Sequence, residues 1–313
     1  MPGALASWYR PRMRAFALLV LLLPATALAR QFHVEHRYSL PAHAGELAFL
    51  PLPSDDPWQR ITGLRVEGAS FQIVHDPKVG NAAARVSVPA DGAQVMVSYD
   101  VERSERAADL SRASNQPSPS GYVEWLKPDQ LVPVNERVLK MAAEVTRGKK
   151  TPLARARAIY DYVLSTMKYD KSGSGWGRGD LIFACDHKYG NCTDFHSLLI
   201  GLLRASGIPA RFQIGYSIPT SASGELPGYH CWADFYLDGV GWVPVDASEA
   251  WKHPEQREYF FGHHDANRVA LSTGRDLSFP GQASPPLNYF VYPLAEANGQ
   301  VLEVARSSRF ESR

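Results

Sequence analysis

The sequence predicts an α+β protein: a small antiparallel β unit followed by a larger unit in which a cysteine-bearing helix packs on an antiparallel sheet. Three observations carry this. Up to about residue 104, apolar and polar residues alternate in short runs, "FHVEHRYSL", "ITGLRVEG", "FQIV", "ARVSVP" and "AQVMVSYDVE", with Gly, Pro and Asp between them. Period two bounded by turn residues is the pattern of strands with one solvated face. Further on, apolar residues recur at intervals of three and four, the helical spacing. Finally, "HCWADFYL" alternates again and "DGVG" turns it into "WVPVD", a β-hairpin.

The bulk properties allow a sizeable core: 313 residues, 45% hydrophobic and 21% charged. The formal net charge of +1 sets up no field for nucleic acid or an anionic membrane, so neither is expected as a partner. "RPRMR", the apolar run "AFALLVLLLPATALA" and the small residues of Ala27-Leu28-Ala29 make residues 1–29 a signal peptide cleaved near Ala29. Met13 is an alternative start with the same features. The run is shorter than the roughly 20 apolar residues of a permanent anchor. A periplasmic or secreted protein with no stable membrane span after cleavage is expected.

The elements then follow in order. Residues 30–104 form the N-terminal β domain. Residues 105–128, containing "SERAADLSRASNQPSPSGY", are rich in Ser, Pro, Asn and Gly and read as a linker laid over the surface. Residues 129–262 hold the larger unit, and residues 263–313 a C-terminal β extension. "PVNERVLKMAAEVTRG" is a helix closing on Gly148. "TPLARARAIYDYVLSTMKY" is a second, with Thr151 as N-cap and Pro152 at its first position. "DKSGSGWGRGD" carries too much glycine for regular structure and is a loop.

Cys192 opens the next helix. Phe195, Leu198, Leu199, Leu202 and Leu203 give it a strongly buried face, and Gly207 with Pro209 ends it. In a first turn, unpaired backbone N–H groups and the positive end of the helix dipole favour thiolate over thiol. The same N–H groups can donate to an oxyanion. A thiolate nucleophile requires a histidine, and the histidine an acceptor that holds its tautomer. Pairing the hairpin around Asp238 and Gly239 makes His230 and Asp246 cross-strand neighbours, roughly 5 Å apart at Cβ. Cys192, His230 and Asp246 are therefore the candidate catalytic residues.

These residues resemble a family. "GNCTDFHSLLIGLLRASGIPARFQIGY" followed by "HCWADFYLDGVGWVPVDAS" is similar to the transglutaminase-like domain of the papain-type thiol enzymes, from about Pro133 to Ala250. The resemblance implies a papain/transglutaminase-like core, with Cys192 as nucleophile, His230 as general base and then acid, and Asp246 as its orienter. It implies acyl transfer at a carboxamide or peptide bond through a thioester, with no cofactor and a peptide or protein substrate. Hydrolysis by an exported cysteine peptidase or amidase is the preferred expectation. Protein cross-linking, or a non-catalytic binding module on the same fold, are the alternatives. Cys231 after the histidine departs from the family, where a non-thiol residue is commoner.

The remaining residues carry weaker expectations. Trp176 and Tyr229 are candidates for substrate contact, with an oxyanion donor or a packing role as the other readings of Trp176. His196, four residues after Cys192, is a second partner of the site or a surface residue. Thr193 and Asp194 read as first-turn residues suited to the dipole, and His263 to Asp265 as loop polarity. A metal site from Cys185, His187, Cys192 and His196 is disfavoured by the six residues between the cysteines, so no metal is expected. A Cys185–Cys231 disulfide leaves Cys192 free. An inactivating Cys185–Cys192 bridge or a free Cys231 are its competitors.

Overall fold

A computed structural model describes residues 29–42, 47–118 and 120–313. The expected signal peptide lies, but for its last residue, outside the described residues. Among the described residues no helix is long and apolar enough to cross a membrane.

Three antiparallel sheets carry the architecture. The first orders its strands Ser223–Glu225, Ala305–Ser312, Arg30–Leu40, Ala93–Arg103, Gln59–Glu67. The second orders them Gln300–Leu302, Leu294–Ala297, Leu47–Leu52, Ala82–Ser87, Phe71–His75. Every alternating run of the N-terminal segment is thus a strand. Leu47–Leu52 is a strand without alternation because it is buried along nearly its whole length. Both sheets draw strands from the C-terminal residues, the long Ala305–Ser312 pairing with Arg30–Leu40 over eight residue pairs. The N-terminal segment does not complete its sheets alone. One continuous core joins Phe32, Val97 and Tyr99 of these sheets to Leu198 and Leu202 of the larger unit.

The third sheet, ordered Gly241–Val245, His230–Leu237, Ala210–Ser217, Arg268–Thr273, takes its first three strands from the larger unit and its last from the C-terminal residues. Five helices accompany it: α1 (Glu136–Val145), α2 (Pro152–Thr166), α3 (Leu181–His187), α4 (Cys192–Ala205) and α5 (Ala247–Lys252). Thr151 caps α2 through the Ala154 N–H, with Pro152 in the first turn, as its sequence requires. The linker is held down rather than loose. Arg106–Ala107 pairs with His263–His264, and Tyr122 stacks on Tyr236 with ring centroids 3.7 Å apart.

The α4 helix is buried all round, not on one face: every residue from Cys192 to Arg204 is buried. The other four helices and the third sheet surround it. A central helix must satisfy its polar side chains internally. Ser197 Oγ lies 2.7 Å from the carbonyls of Thr193 and Gly179, and Arg204 donates to Asp129 Oδ2 at 2.6 Å and to the Ala210 carbonyl at 2.9 Å. Close approach sets Gly201, where a methyl group would run into Leu181 of α3.

Candidate active site

Asn191 starts α4. Its side chain accepts from the Thr193 N–H at 2.9 Å, and Asp194 accepts from the Asn191 N–H at 3.0 Å, a reciprocal capping box. Asp194 reaches further than a capping residue. Its carboxylate also accepts from the Gly177 and Gly179 N–H groups at 2.7 and 3.1 Å, which fastens the glycine-rich loop to the first turn of α4. Gly190 has φ 153°, and a methyl there would collide with this carboxylate. From the other side, Arg275 donates to the Gly179 carbonyl at 3.2 Å and Asn288 to that of Arg178 at 2.7 Å. The loop beside Cys192 is therefore gripped between α4 and the C-terminal segment.

His230, first residue of its strand, donates from Nε2 to Asp246 Oδ2 at 2.7 Å. The hairpin arithmetic predicts cross-strand partners, and the structure corrects it: the ladder ends at Ala233 and Val245, short of both residues. Asp246 lies just past its strand as the N-cap of α5, its Oδ1 accepting from the Glu249 N–H and the Ser248 hydroxyl, each at 2.9 Å. Arg268 Nη1 adds a bond to Oδ2 at 2.7 Å. Desolvation opposes the buried carboxylate, but His230 and Arg268 hold it well below the usual carboxylate range.

With Nε2 given to Asp246, Nδ1 of His230 is the nitrogen left for the sulfur. Burial pushes the Cys192 thiol up, yet its contacts with Cys231 and His230, and the charge on His230, bring it well below the ordinary thiol range. Burial pulls His230 down, but Asp246 and then Cys192 outweigh this and raise it to about 9. Both shifts favour a thiolate–imidazolium pair in a site where Cys192 is only 2% exposed and Asp246 is fully buried.

His196 occupies the inner side of this pair. Its Nε2 accepts from the Ala247 N–H at 3.2 Å, so its proton sits on Nδ1, which donates to the Cys192 carbonyl at 2.7 Å. It thereby ties the start of α4 to the residue after Asp246. Tyr229 accepts from Asn191 Nδ2 at 3.0 Å and packs against Tyr289 and Tyr292, ring centroids 5.6 and 5.8 Å away. The indole N–H of Trp176 is directed at the Gly173 carbonyl at 3.3 Å, within its own loop, in place of the oxyanion donor weighed for it.

Several expectations are corrected. All three cysteines are free. The Cys185 sulfur lies 3.9 Å from that of Met141, whereas Cys231 faces α4 with its sulfur 3.7 Å from His196 Nδ1, so the Cys185–Cys231 bridge is not formed. His264 is not loop polarity but a fully buried side chain in contact with Trp232. His187 packs on Phe183, away from the four-residue metal set weighed for it. Among the described residues, His230, Asp246 and Glu249 bring ligand atoms within 4.8 Å of one another. The Arg268 guanidinium on Asp246 Oδ2 opposes a cation there. Local pattern could not point to Arg268, Arg275 or Tyr289, which reach the site from the C-terminal region.

The family model of the transglutaminase-like superfamily matches residues 139–247, a span from α1 to the start of α5 that contains Cys192, His230 and Asp246. Those residues are a transglutaminase-like domain. Over nearly the whole chain the fold also resembles the structure of a candidate cysteine protease from Cytophaga hutchinsonii, with a TM-score of 0.67 at 15% identity and 90% of each chain covered. The sheets flanking the transglutaminase-like domain therefore recur with it. An uncharacterised protein of Haemophilus influenzae is 27% identical over 299 residues, covering 81% of each chain. YebA of Bacillus subtilis is 28% identical over 136 residues, 39% of this chain and 18% of YebA.

Proposed function

We propose that the protein is an exported, thiol-dependent acyl-transfer enzyme that cleaves carboxamide or peptide bonds. One observation carries the reading: a buried cysteine at the first position of a capped helix, beside a histidine whose far nitrogen is held at 2.7 Å by a fully buried aspartate. Cys192 attacks the carbonyl as a thiolate. The developing oxyanion is met by the Cys192 N–H, the one N–H of the first turn of α4 that the Asn191 cap does not occupy among the described residues. His230, protonated through Nδ1, gives its proton to the leaving amine, and the thioester remains on Cys192. Asp246 keeps Nε2 protonated and compensates the imidazolium, and Arg268 anchors Asp246. Water then attacks the thioester with His230 as base. Tyr229 and Trp176 contact the substrate.

Hydrolysis is preferred over amine transfer from the kind of protein named in the fold comparison, a candidate cysteine protease. Export rests on the N-terminal leader pattern of residues 1–29. The test is turnover of a mixed-sequence peptide library, read by mass spectrometry in the presence of a primary amine. Wild type is expected to yield new free carboxyl termini, and Cys192→Ala none. Amine adducts in place of carboxylates would make the enzyme a transamidase, and equal cleavage by Cys192→Ala would overturn the reading.

A further inference from the structure

The reaction proposed above assigns no task to His196, although its ring is fully buried and touches both helices that carry the nucleophile and the aspartate. The Cys192 carbonyl belongs to the first residue of α4, and the helical ladder already brings it a backbone N–H from four residues on. The second donor it receives, His196 Nδ1 at 2.7 Å, is not needed to satisfy that oxygen. On the far side of the ring, Nε2 accepts at 3.2 Å from the N–H of Ala247, the first residue of α5, which has no partner within its own helix. Asp246 caps the same turn through the Glu249 N–H at 2.9 Å. One ring thus spans from the backbone of the nucleophile to the residue that follows Asp246.

These bonds fix the state of the ring. A backbone N–H can only donate, so Nε2 is bare and Nδ1 carries the hydrogen. Nε2 also lies 3.6 Å from Asp246 Oδ1. A hydrogen placed on Nε2 would confront the Ala247 N–H and turn to that carboxylate, opening the link. Burial pulls the imidazole below the ordinary histidine range, which keeps it neutral. The Cys231 sulfur, 3.7 Å from Nδ1, lies beside the same N–H as a second, weak acceptor.

We infer that His196 is a positioning residue: a neutral, Nδ1-protonated bridge from the Cys192 carbonyl to the Ala247 amide that sets where Asp246 stands relative to Cys192. His230 crosses between the same two residues through their side chains, with Nε2 on Asp246 Oδ2 at 2.7 Å and Nδ1 left for the sulfur. That alignment tolerates errors of only about 0.5 Å. A backbone-to-backbone bridge behind it holds both ends in place before substrate arrives.

This role presupposes Cys192 as an activated nucleophile, and the test separates the two. The rate of iodoacetamide alkylation at Cys192, followed by peptide mass spectrometry from acid to alkaline pH, reports thiolate formation without any substrate. In the wild type its midpoint should lie far below the ordinary thiol range. His196→Asn places an amide where Nδ1 stood and keeps only the Cys192 end. His196→Gln reaches the place of Nε2 and keeps only the Ala247 end. Each opens the bridge and should raise the midpoint by about one pH unit. Val97→Ala, a cavity made in the strand Ala93–Arg103 of the first sheet, lowers stability without touching the bridge and should leave the midpoint within about 0.2 units of wild type. Should the His196 variants fail to fold, proton–nitrogen correlation spectra of the histidine-labelled wild type decide the matter: His196 should be neutral with its hydrogen on Nδ1. A low wild-type midpoint that either His196 variant leaves in place, a shift matched by Val97→Ala, or a hydrogen on Nε2 of His196 overturns the inference alone. An ordinary wild-type midpoint overturns both it and the reading beneath it.

Discussion

The strand His230–Leu237 feeds two buried polar clusters, and their contrast shows what distinguishes an active site from an internal salt-bridge network. At its start, His230, Asp246, Arg268, Asp194 and His196 surround a single sulfur, and the carboxylates and both histidines have partners. Further along the same strand, Asp234 binds Arg106 at 3.0 Å and Arg211 at 2.8 Å, and Trp232 donates to Gln213 at 2.7 Å. Neighbouring Arg103 and His264 are as deeply buried, yet among the described residues Arg103 Nε and Nη2 and both ring nitrogens of His264 have no partner. The second cluster holds as much buried charge as the first. It contains no nucleophile, and its groups face one another. Only the first drives a histidine up and a thiol down, the opposed shifts that acid–base chemistry needs.

The largest effect that tests this contrast comes from matched substitutions of the two aspartates. Asp246→Asn should lower kcat/KM about 10³-fold, because an amide can hold the imidazole in the wrong tautomer and does not compensate its cation. Asp234→Asn should leave kcat/KM within about twofold while costing about 3 kcal/mol of unfolding free energy, from a buried ion pair broken on one side. The pH profile sharpens the pair. In the wild type the alkaline limb of kcat/KM should fall near pH 9, where His230 loses its proton, and Asp246→Asn should move it lower. The sign for stability follows. A histidine raised in the folded state contributes fully below its unfolded value near 6.5, and that contribution is lost as pH rises toward about 9. Asp246, depressed on folding, contributes above about pH 4 and loses this as pH falls. Equal kinetic effects of the two asparagine variants would erase the distinction.

A smaller effect is expected at Asp194, which belongs to the first cluster without touching the sulfur. Asp194→Asn leaves one acceptor oxygen for three backbone N–H groups. It should cost about 2 kcal/mol in denaturant unfolding and lower kcat about tenfold through a loosened glycine loop. An unchanged kcat with the same stability loss would make the loop a scaffold with no influence on the site.

Much of this was legible in the sequence where the signal is local. The helix start at Cys192, the Thr151 N-cap of α2 and the alternation of the first sheet's strands each follow from neighbouring residues. His230 and Asp246 do meet, but for a different reason from the one their pattern suggests. Asp246 turns back as the cap of α5, and short loops after hairpins do not announce such a turn. Long-range placement left no local trace. Arg268 anchors Asp246 across 22 residues, Arg275 grips Gly179 across 96, and Ala305–Ser312 completes the first sheet. The polar residues of α4 were the least legible, because a charge in a helix looks like a solvated face until neighbouring chains enclose it.

The central claim is that the polar residues around Cys192 make it a thiolate while the other two cysteines stay thiols. Brief exposure of the native protein to iodoacetamide near pH 6, with mapping of all three cysteine peptides, tests this most directly. Cys192 should carry essentially all of the label: Cys231 is held as a thiol by burial and by Cys192, and Cys185 is raised by burial. Labelling of Cys185 as fast as Cys192, or no labelling of Cys192 at that pH, would contradict the account.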